Sequence, residues 1–334
     1  HREDVQLEQV EPFRDHIVVL ERRDGLTALR IFAMPGFTPH EIAFEEQAYS
    51  LTLSQNPDFD TPTLRFVYES LVTPETVIDY DMRERTREVR KVEEVLGGYR
   101  TEEYVTARTH ATAPDGVRVP VSLVHRKGLK LDGNNPLLLY GYGSYGSTHT
   151  DPGFMSLRLS LLDRGFVFAI AHVRGGGDLG RPWYEAGKLE HKANTFSDFI
   201  ACAEHLIESG YTAAERLAIR GGSAGGLLVG AVVNMRPDLF RAAISKVPFV
   251  DVIHTMLDPG LPLTVIEYDE WGNPNEPEPF ERMLSYAPYE NVREADYPNL
   301  FVTGGLNDPR VAYWEPAKWV ARVREYQTGD GVIL

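Results

Sequence analysis

The stretch Arg220-Gly221-Gly222-Ser223-Ala224-Gly225-Gly226 decides the fold of this chain. Apolar runs at 217–219 and 227–233 flank it, which predicts a strand, a tight turn and a helix. The glycines around Ser223 give the pattern G-x-S-x-G, whose small residues let the strand and the helix approach closely. The stretch therefore predicts that Ser223 is a nucleophile and that the amide of Ala224 faces a developing oxyanion. The alternative is a glycine-rich turn that merely contains a serine.

Beyond Gly98 the predicted elements alternate between strands and helices. A strand pair at 103–109 and 117–125 comes first. Further strands are predicted at 136–140, 166–172, 217–219, 242–246, 299–303 and from 331 onward, and helices at 156–163, 195–208, 226–236 and 315–326. This order is typical of a doubly wound α/β sheet. An α/β-hydrolase core over 99–334 accounts for it and puts Ser223 at the carboxyl end of a strand.

Residues 1–98 are predicted to form β structure. The expected strands lie at 16–21, 27–34, 48–53, 64–71, 76–81 and 87–92, and Asp24-Gly25 is a hairpin signal. The strands that begin at Thr27 and Thr76 repeat at about 50 residues, near the period of a propeller blade. The segment therefore predicts about two four-stranded blades of a partial β-propeller, and a small antiparallel sheet of another kind is the alternative.

Composition and charge exclude several classes of function. A net charge of −15 makes nucleic acid and anionic membranes poor partners. No apolar run is long enough to span a membrane, and no signal peptide is visible. The glycine-rich stretch 174–180 lacks the Gly-Lys-Ser/Thr of a phosphate loop, and no Cys/His cluster is spaced for a metal, so we expect no cofactor. The single cysteine, Cys202, fits a reducing compartment and predicts a cytoplasmic location.

A serine nucleophile needs an acid, a base and a second oxyanion donor. Asp308 follows the predicted strand 299–303 and is the best acid, with Asp251 as the second candidate. The loop 140–146, rich in glycine and tyrosine, is predicted to supply the other oxyanion donor from a tyrosine hydroxyl.

The base is not identified by the sequence. In this fold the histidine should follow the acid, yet none of the ten histidines follows Asp308. His172 and His254 are the internal alternatives. The chain begins with His1 rather than Met and stops within a predicted strand at 331–334. It is therefore expected to be cut at both ends, and to be inactive as written because the histidine of the triad is absent.

Six stretches together resemble the prolyl oligopeptidase family of serine peptidases, and within it the oligopeptidase B branch. They are 139–146, His172-Val173-Arg174-Gly175-Gly176-Gly177, 221–226, 247–252, Glu270-Trp271-Gly272-Asn273-Pro274 and 313–319. The resemblance covers nearly the whole chain. It implies a propeller that caps an α/β-hydrolase domain and admits only short peptides.

The resemblance also implies roles for residues near the nucleophile. Ser223 would attack the peptide, Asp308 would be the acid, and Tyr142 with the amide of Ala224 would form the oxyanion hole. Arg310 would hold a carbonyl of the substrate. The histidine of the family would lie just beyond residue 334.

Specificity follows from the same resemblance. The branch cleaves after Arg and Lys, and its acidic pair for that side chain falls on Glu267 and Asp269. A second pair, for the preceding side chain, matches Asp151, but Gly153 stands at the partner position and makes a dibasic preference doubtful.

Three functions therefore remain open. The first is a peptidase that cleaves short cationic peptides after basic residues. The second is an esterase or acylaminoacyl-peptidase-like hydrolase that uses the same triad. The third is a non-catalytic binding fragment.

Overall fold

The computed structural model describes residues 5–148 and 150–334. Its first eight strands are β1 (Val5–Pro12), β2 (His16–Arg23), β3 (Leu26–Ala33), β4 (Thr38–Glu41), β5 (Tyr49–Leu53), β6 (Thr63–Ser70), β7 (Thr76–Asp81) and β8 (Thr86–Val92). They form two antiparallel four-stranded sheets, each with its strands in sequence order. Four-stranded meanders of this kind are propeller blades, so the prediction of about two blades is confirmed.

The period that predicted the blades is correct, since β3 and β7 are each the third strand of a sheet. Buried and exposed positions alternate along β6, as expected for a strand with one face in a core. The sequence patterns did not identify β1 and β4. The side chains of β1 are largely exposed and β4 has only 4 residues, so neither carries a clear apolar alternation.

The third sheet has seven strands and forms the core of the second half of the chain. Its strands are β9 (Tyr104–Thr112), β10 (Arg118–Arg126), β11 (Leu137–Tyr140), β12 (Val167–Ala171), β13 (Leu217–Gly222), β14 (Ala242–Lys246) and β15 (Asn299–Thr303). Their order is β15-β14-β13-β11-β12-β10-β9, and β11 to β15 run parallel. The predicted α/β-hydrolase sheet is thus confirmed. Ile333 forms a parallel bridge with Leu300 beside β15, where the last strand was predicted.

Eight α-helices connect and cover this sheet within the described ranges. They are α1 (Leu159–Leu162), α2 (Arg181–Glu185), α3 (Ala193–Glu208), α4 (Ala224–Met235), α5 (Val252–Leu257), α6 (Tyr268–Trp271), α7 (Pro277–Tyr286) and α8 (Trp314–Tyr326). The sequence predicts α3, α4 and α8 to within two residues at each end. It does not identify α2, α5 and α6, which are too short for a clear helical period, or the ten-residue α7, whose first turn contains two prolines. Over residues 5–148 and 150–334, no helix has the length and apolar character needed to cross a membrane.

The turn between β13 and α4 is possible only because its residues are small. A Cβ on Gly221 would lie 2.0 Å from the carbonyl oxygen of Gly225. A Cβ on Gly226 would lie 2.4 Å from the Cβ of Pro248. Real side chains do not tolerate such distances, so any larger residue would push α4 away from the sheet.

Replacing Gly221 by Ala tests this packing. The added methyl group meets a backbone oxygen that cannot move without shifting α4, so we expect Gly221→Ala to lower the free energy of unfolding by about 1–3 kcal/mol. Urea denaturation measures the change. Gly36→Ala is the matched control, because its added Cβ has Thr38 Oγ1 at 3.6 Å as its nearest neighbour. We expect that control to change stability by no more than about 0.5 kcal/mol. Equal effects of the two substitutions would contradict the packing argument.

Candidate active site

Ser223 occupies a strained backbone conformation at the end of β13. Its φ is 55° and its ψ is −121°, a region that residues with a side chain rarely adopt. Two hydrogen bonds to the segment 246–249 hold it there. The amide of Ser223 donates to the carbonyl of Lys246 at 2.9 Å, and the amide of Phe249 donates to the carbonyl of Ser223 at 3.1 Å. The geometry is that of a nucleophile elbow, as the sequence predicted.

The two predicted oxyanion donors lie on either side of this turn. Ala224 is the first residue of α4, so its amide has no acceptor within the helix and lies at the positive end of the helix dipole. Tyr142 follows β11, and a Cβ on Gly225 would lie 3.2 Å from its ring. Burial raises the pKa of Tyr142, and Tyr140 and Glu267 raise it further. The phenol therefore stays protonated at neutral pH and keeps a proton to donate.

Ser223 opens into a pocket of about 310 Å³ that Tyr142, Glu267 and Arg310 also line. One carboxylate oxygen of Glu267 accepts hydrogen bonds from the Tyr145 hydroxyl at 2.9 Å and from the indole nitrogen of Trp271 at 2.6 Å. The pocket thus contains a fixed negative charge near the nucleophile. Glu267 is suitably placed to meet a positively charged side chain.

Asp269, the other half of the expected acidic pair, is not among the residues that line this pocket. Its side chain is exposed to solvent. Glu270 is instead buried, and it accepts hydrogen bonds from the Tyr145 amide at 3.0 Å and the Tyr184 hydroxyl at 2.8 Å. The structure therefore brings Glu267 to the pocket without Asp269.

Asp308 and Arg310 lie on the loop that follows β15. One oxygen of the Asp308 carboxylate accepts hydrogen bonds from the amides of Arg310 at 2.9 Å and Val311 at 3.0 Å. These bonds fix the carboxylate at the carboxyl end of the sheet, at the same edge as Ser223. Arg310 is exposed and reaches the pocket wall. Asp308 is half-buried and is not among the lining residues.

Of the described residues, no histidine lines the Ser223 pocket. His172 belongs to a second Ser-His-Asp arrangement, with its ring nitrogens 2.8 Å from Asp178 and 2.7 Å from the Ser122 hydroxyl. All three side chains are buried, so no substrate can reach this group. His172 is therefore a structural residue rather than a base for Ser223. His149 lies outside the described residues.

His254, the other internal alternative, is paired with Asp251. The distance from its Nδ1 to the Asp251 carboxylate is 2.7 Å. Asp251, His254 and Glu290 have ligand atoms within 4.8 Å of one another and could geometrically hold a metal ion. The ammonium of Lys318 already binds the Asp251 carboxylate and supplies a positive charge there. The carboxylate of Asp251, the second candidate acid, is thus bound to His254 and Lys318.

Asp151 does not line the Ser223 pocket. Its carboxylate binds the guanidinium of Arg22, on blade strand β2, through two bonds of 2.6 and 2.8 Å. Burial raises the pKa of Asp151 and the bonds to Arg22 oppose that shift. At Gly153, where the family pattern has an acid, the carboxylate of Glu69 fills the space, 3.0 Å from where a Cβ would be. The first blade therefore supplies the cation that neutralises Asp151, and the second blade supplies a further carboxylate.

Glu315 is a buried acid that the sequence analysis did not single out. Its carboxylate accepts hydrogen bonds from the amides of Val250 and Asp251 at 3.0 Å each and from the Thr255 hydroxyl at 2.7 Å. It ties α8 to the segment that forms one wall of the pocket. Burial raises the pKa of Glu315 to about 7. Spacing gives a signal for it, because Glu315 lies four residues before buried Trp319 on the apolar face of α8.

Comparison with protein families gives two matches. The family described as "Prolyl oligopeptidase family" matches residues 152–334. The family described as "Prolyl oligopeptidase, N-terminal beta-propeller domain" matches residues 1–93. The first match covers the α/β sheet from β12 onward, and the second covers the two blades.

Curated relatives and solved structures agree with these matches. The whole chain is 48% identical to Dipeptidyl aminopeptidase BI of Pseudoxanthomonas mexicana over 46% of that protein, and 45% identical to Protease 2 of Moraxella lacunata over 48% of that protein. It superimposes on oligopeptidase B from Leishmania major with a TM-score of 0.92, at 48% identity, covering 100% of this chain and 48% of that one. For oligopeptidase B from Trypanosoma brucei with covalently bound antipain, the TM-score is 0.93, at 49% identity and the same coverage. The chain spans about half the length of these relatives.

The pKa of Glu315 predicts how stability depends on pH. The folded state binds this proton more tightly than the unfolded state, so stability from this group is present below pH 4.5 and is lost as pH rises through about 7. The amide oxygen of Gln can accept the two backbone hydrogen bonds and its nitrogen can donate to the Thr255 hydroxyl, but Gln cannot ionise. Between these pH values the free energy of unfolding of the wild type falls. We expect Glu315→Gln to make this fall smaller by up to about 3 kcal/mol. Urea denaturation at pH 5 and pH 8 measures it. The same pH dependence in both proteins would contradict the assignment.

Proposed function

Because the chain belongs to the prolyl oligopeptidase family, we propose that it is the nucleophile-bearing part of a serine peptidase that cleaves short peptides after Arg or Lys. The observation that carries the proposal is the shared pocket of Ser223 and Glu267. A guanidinium or ammonium bound to Glu267 would bring the following carbonyl carbon toward Ser223. A positively charged substrate in this pocket also agrees with the net charge of −15 on the chain.

In this proposal Ser223 Oγ attacks the carbonyl carbon and a tetrahedral oxyanion forms. The hydroxyl of Tyr142 and the amide of Ala224 donate to that oxyanion. The amine of the next residue leaves, and water then releases the acyl group from Ser223. Arg310, on the pocket rim, holds a second carbonyl of the peptide, and Asp308 orients the histidine that moves the protons.

The proposed base is a histidine outside these 334 residues. His172 is buried with Asp178 and Ser122, and His254 is bound to Asp251. Both therefore have other partners. Asp308 presents its carboxylate at the correct edge of the sheet for an imidazole that arrives from another part of the protein.

A second candidate is a hydrolase that does not distinguish the charge of the residue before the cleaved bond, as in an esterase or an acylaminoacyl-peptidase. The observation that favours it is the engagement of Glu267 with Tyr145 and Trp271, which leaves less of its carboxylate for a ligand. The names of the relatives do not decide the matter, since they include a dipeptidyl aminopeptidase and a protease.

A preference for a second basic residue is not part of the proposal, because Arg22 already neutralises Asp151. The proposed ligands are short cationic peptides. A cytoplasmic location stays a prediction that rests on the single buried cysteine, Cys202.

Substitution of Glu267 tests the specificity. A charge-assisted hydrogen bond to a shielded guanidinium contributes about 1.5–3 kcal/mol. In a form of the protein that hydrolyses an Arg reporter peptide, Glu267→Gln should lower kcat/KM for that peptide by at least about tenfold and leave a neutral ester nearly unchanged. Asp269→Asn is the matched control and should change neither by more than about twofold. An equal loss on both substrates after Glu267→Gln would favour the second candidate.

The base is tested by comparing the 334-residue chain with a longer protein, extended to the length of its relatives, on one Arg reporter peptide. Loss of one member of a triad leaves only about 10³–10⁴-fold catalysis over water, so the 334-residue chain should be slower by several orders of magnitude. Ser223→Ala in the longer protein should abolish hydrolysis and labelling by a fluorophosphonate. If the two lengths are equally active, an internal histidine is the base. If Ser223→Ala keeps its activity, the proposed nucleophile is wrong.

A further inference from the structure

The loop that carries Tyr142 has no regular structure of its own. It follows β11, and three of its residues have left-handed backbones: Gly143 at φ 71°, Tyr145 at 62° and Gly146 at 59°. A loop of this kind is not held by a strand ladder or by a helix. Its conformation, and with it the position of the Tyr142 hydroxyl, must be fixed by contacts from outside.

Lys192 supplies the most unusual of these contacts. It lies in the turn just before α3 and is 2% exposed, which is rare for a lysine. Its ammonium donates to the carbonyl of Gly143 at 2.6 Å and to the hydroxyl of Ser144 at 2.9 Å. It also lies 4.9 Å from the centre of the Trp271 ring. The three protons of the ammonium thus have three acceptors, two of them on the loop.

Glu270 holds the loop at Tyr145, the residue after Ser144. Its carboxylate accepts the hydrogen bond of the Tyr145 amide and is itself buried. Burial lowers the pKa of Lys192 to about 8, and the charge of Glu270 opposes that shift. The ammonium is therefore mostly protonated at pH 7. The ammonium of Lys192 and the carboxylate of Glu270 thus bind residues 143–145, which directly follow Tyr142.

Space around the loop is as tight as the hydrogen bonding. A Cβ on Gly143 would lie 2.4 Å from the Thr195 side chain of α3 and 2.7 Å from Val173. The backbone of the loop thus rests on the first turn of α3, which directly follows Lys192. The carbonyl of Gly143 is one residue from Tyr142, so a shift of that carbonyl turns the tyrosine directly.

We propose that Lys192 is a positioning residue for the oxyanion hole, whose ammonium fixes the loop so that the Tyr142 hydroxyl meets the oxyanion formed at Ser223. This inference rests on the proposed function and deepens it. Lys192 itself does not line the pocket of Ser223. It acts through Tyr142.

The role differs from that of an ordinary buried residue in a measurable way. An interaction that acts only when the oxyanion forms lowers kcat and leaves KM almost unchanged. It also disappears when its target is removed. The effect of losing the ammonium should therefore depend on whether the Tyr142 hydroxyl is present.

The experiment measures kcat and KM on an Arg reporter peptide for the longer, active protein, with Lys192→Met and Tyr142→Phe alone and together. Met keeps the length and apolar stem of Lys but has no donor. Loss or misplacement of an oxyanion donor costs about ten- to a hundredfold or more in rate. We expect Lys192→Met to lower kcat by about ten- to a hundredfold, with KM within about twofold. In the Tyr142→Phe background the same change should cost less than about threefold.

Lys130→Met is the matched control, since Lys130 is an exposed lysine in the turn before β11. It should leave kcat and KM as in the wild type. The proposal is overturned if Lys192→Met lowers kcat by the same factor in both backgrounds, or if it raises KM and leaves kcat unchanged. Failure of Ser223→Ala to abolish hydrolysis would count against the proposed function and not against the role of Lys192.

Urea denaturation shows whether the Lys192→Met protein is folded. If it is not, Ser144→Ala decides the question, because it removes one acceptor of the ammonium and keeps the charge. One hydrogen bond of about 1 kcal/mol corresponds to about a fivefold fall in kcat, again smaller in the Tyr142→Phe background. An unchanged kcat in a folded Ser144→Ala protein would overturn the proposal.

Discussion

The left-handed backbone at Ser223 is the constraint on which the rest of the structure depends. A residue with a side chain at φ 55° and ψ −121° is strained by about 1–3 kcal/mol, so the surroundings must hold it in place. They do so through the carbonyl of Lys246, at the end of β14, and the amide of Phe249, just after that strand. The close approach at Gly221 and Gly226 then sets how α4 lies on the sheet. A strained turn of this kind presents a side chain at the surface of an otherwise apolar core.

Buried ionisable groups hold the loops around this turn. Lys192 and Glu270 bracket the loop after β11, and Glu315 ties α8 to the segment after β14. Each accepts from or donates to backbone groups that are in no helix or strand ladder, which satisfies polar atoms that would otherwise be costly to bury. The apolar core fixes the sheet and its helices, but loops have few apolar contacts. Charged side chains with several hydrogen bonds are therefore the groups that define the shape of the pocket.

The contact between the blades and the α/β domain uses charges in another way. Arg22 is 4% exposed and its guanidinium lies between Asp151 and Glu8, while Glu69 accepts a hydrogen bond from the amide of Phe154. Removing either partner of such a pair leaves a buried charge without compensation, which is more damaging than the pair itself is stabilising. The blades thus affect ligand binding at the surface of the α/β domain, because Arg22 neutralises the carboxylate of Asp151.

The sequence by itself determined the parts of this protein that depend on local periodicity. The elbow at Ser223, the alternation of strands and helices after residue 98 and the repeat of the blades all come from short-range patterns of apolar and small residues. The positions of Asp308 and Tyr142 after their strands followed from the order of elements, since parallel strands end at one edge of the sheet.

Only the tertiary structure decided which charged residues meet. Glu267 and Asp269 are two positions apart at the start of a helical turn, where such side chains point to different sides, so Glu267 alone lines the pocket. Asp151 meets Arg22, which is 129 positions away in the chain. Lys192 lies in the turn before α3 and Glu315 on the apolar face of α8, and their partners are distant in the sequence. Pairing over such separations depends on how sheets and blades pack, and no local pattern in a sequence encodes that distance.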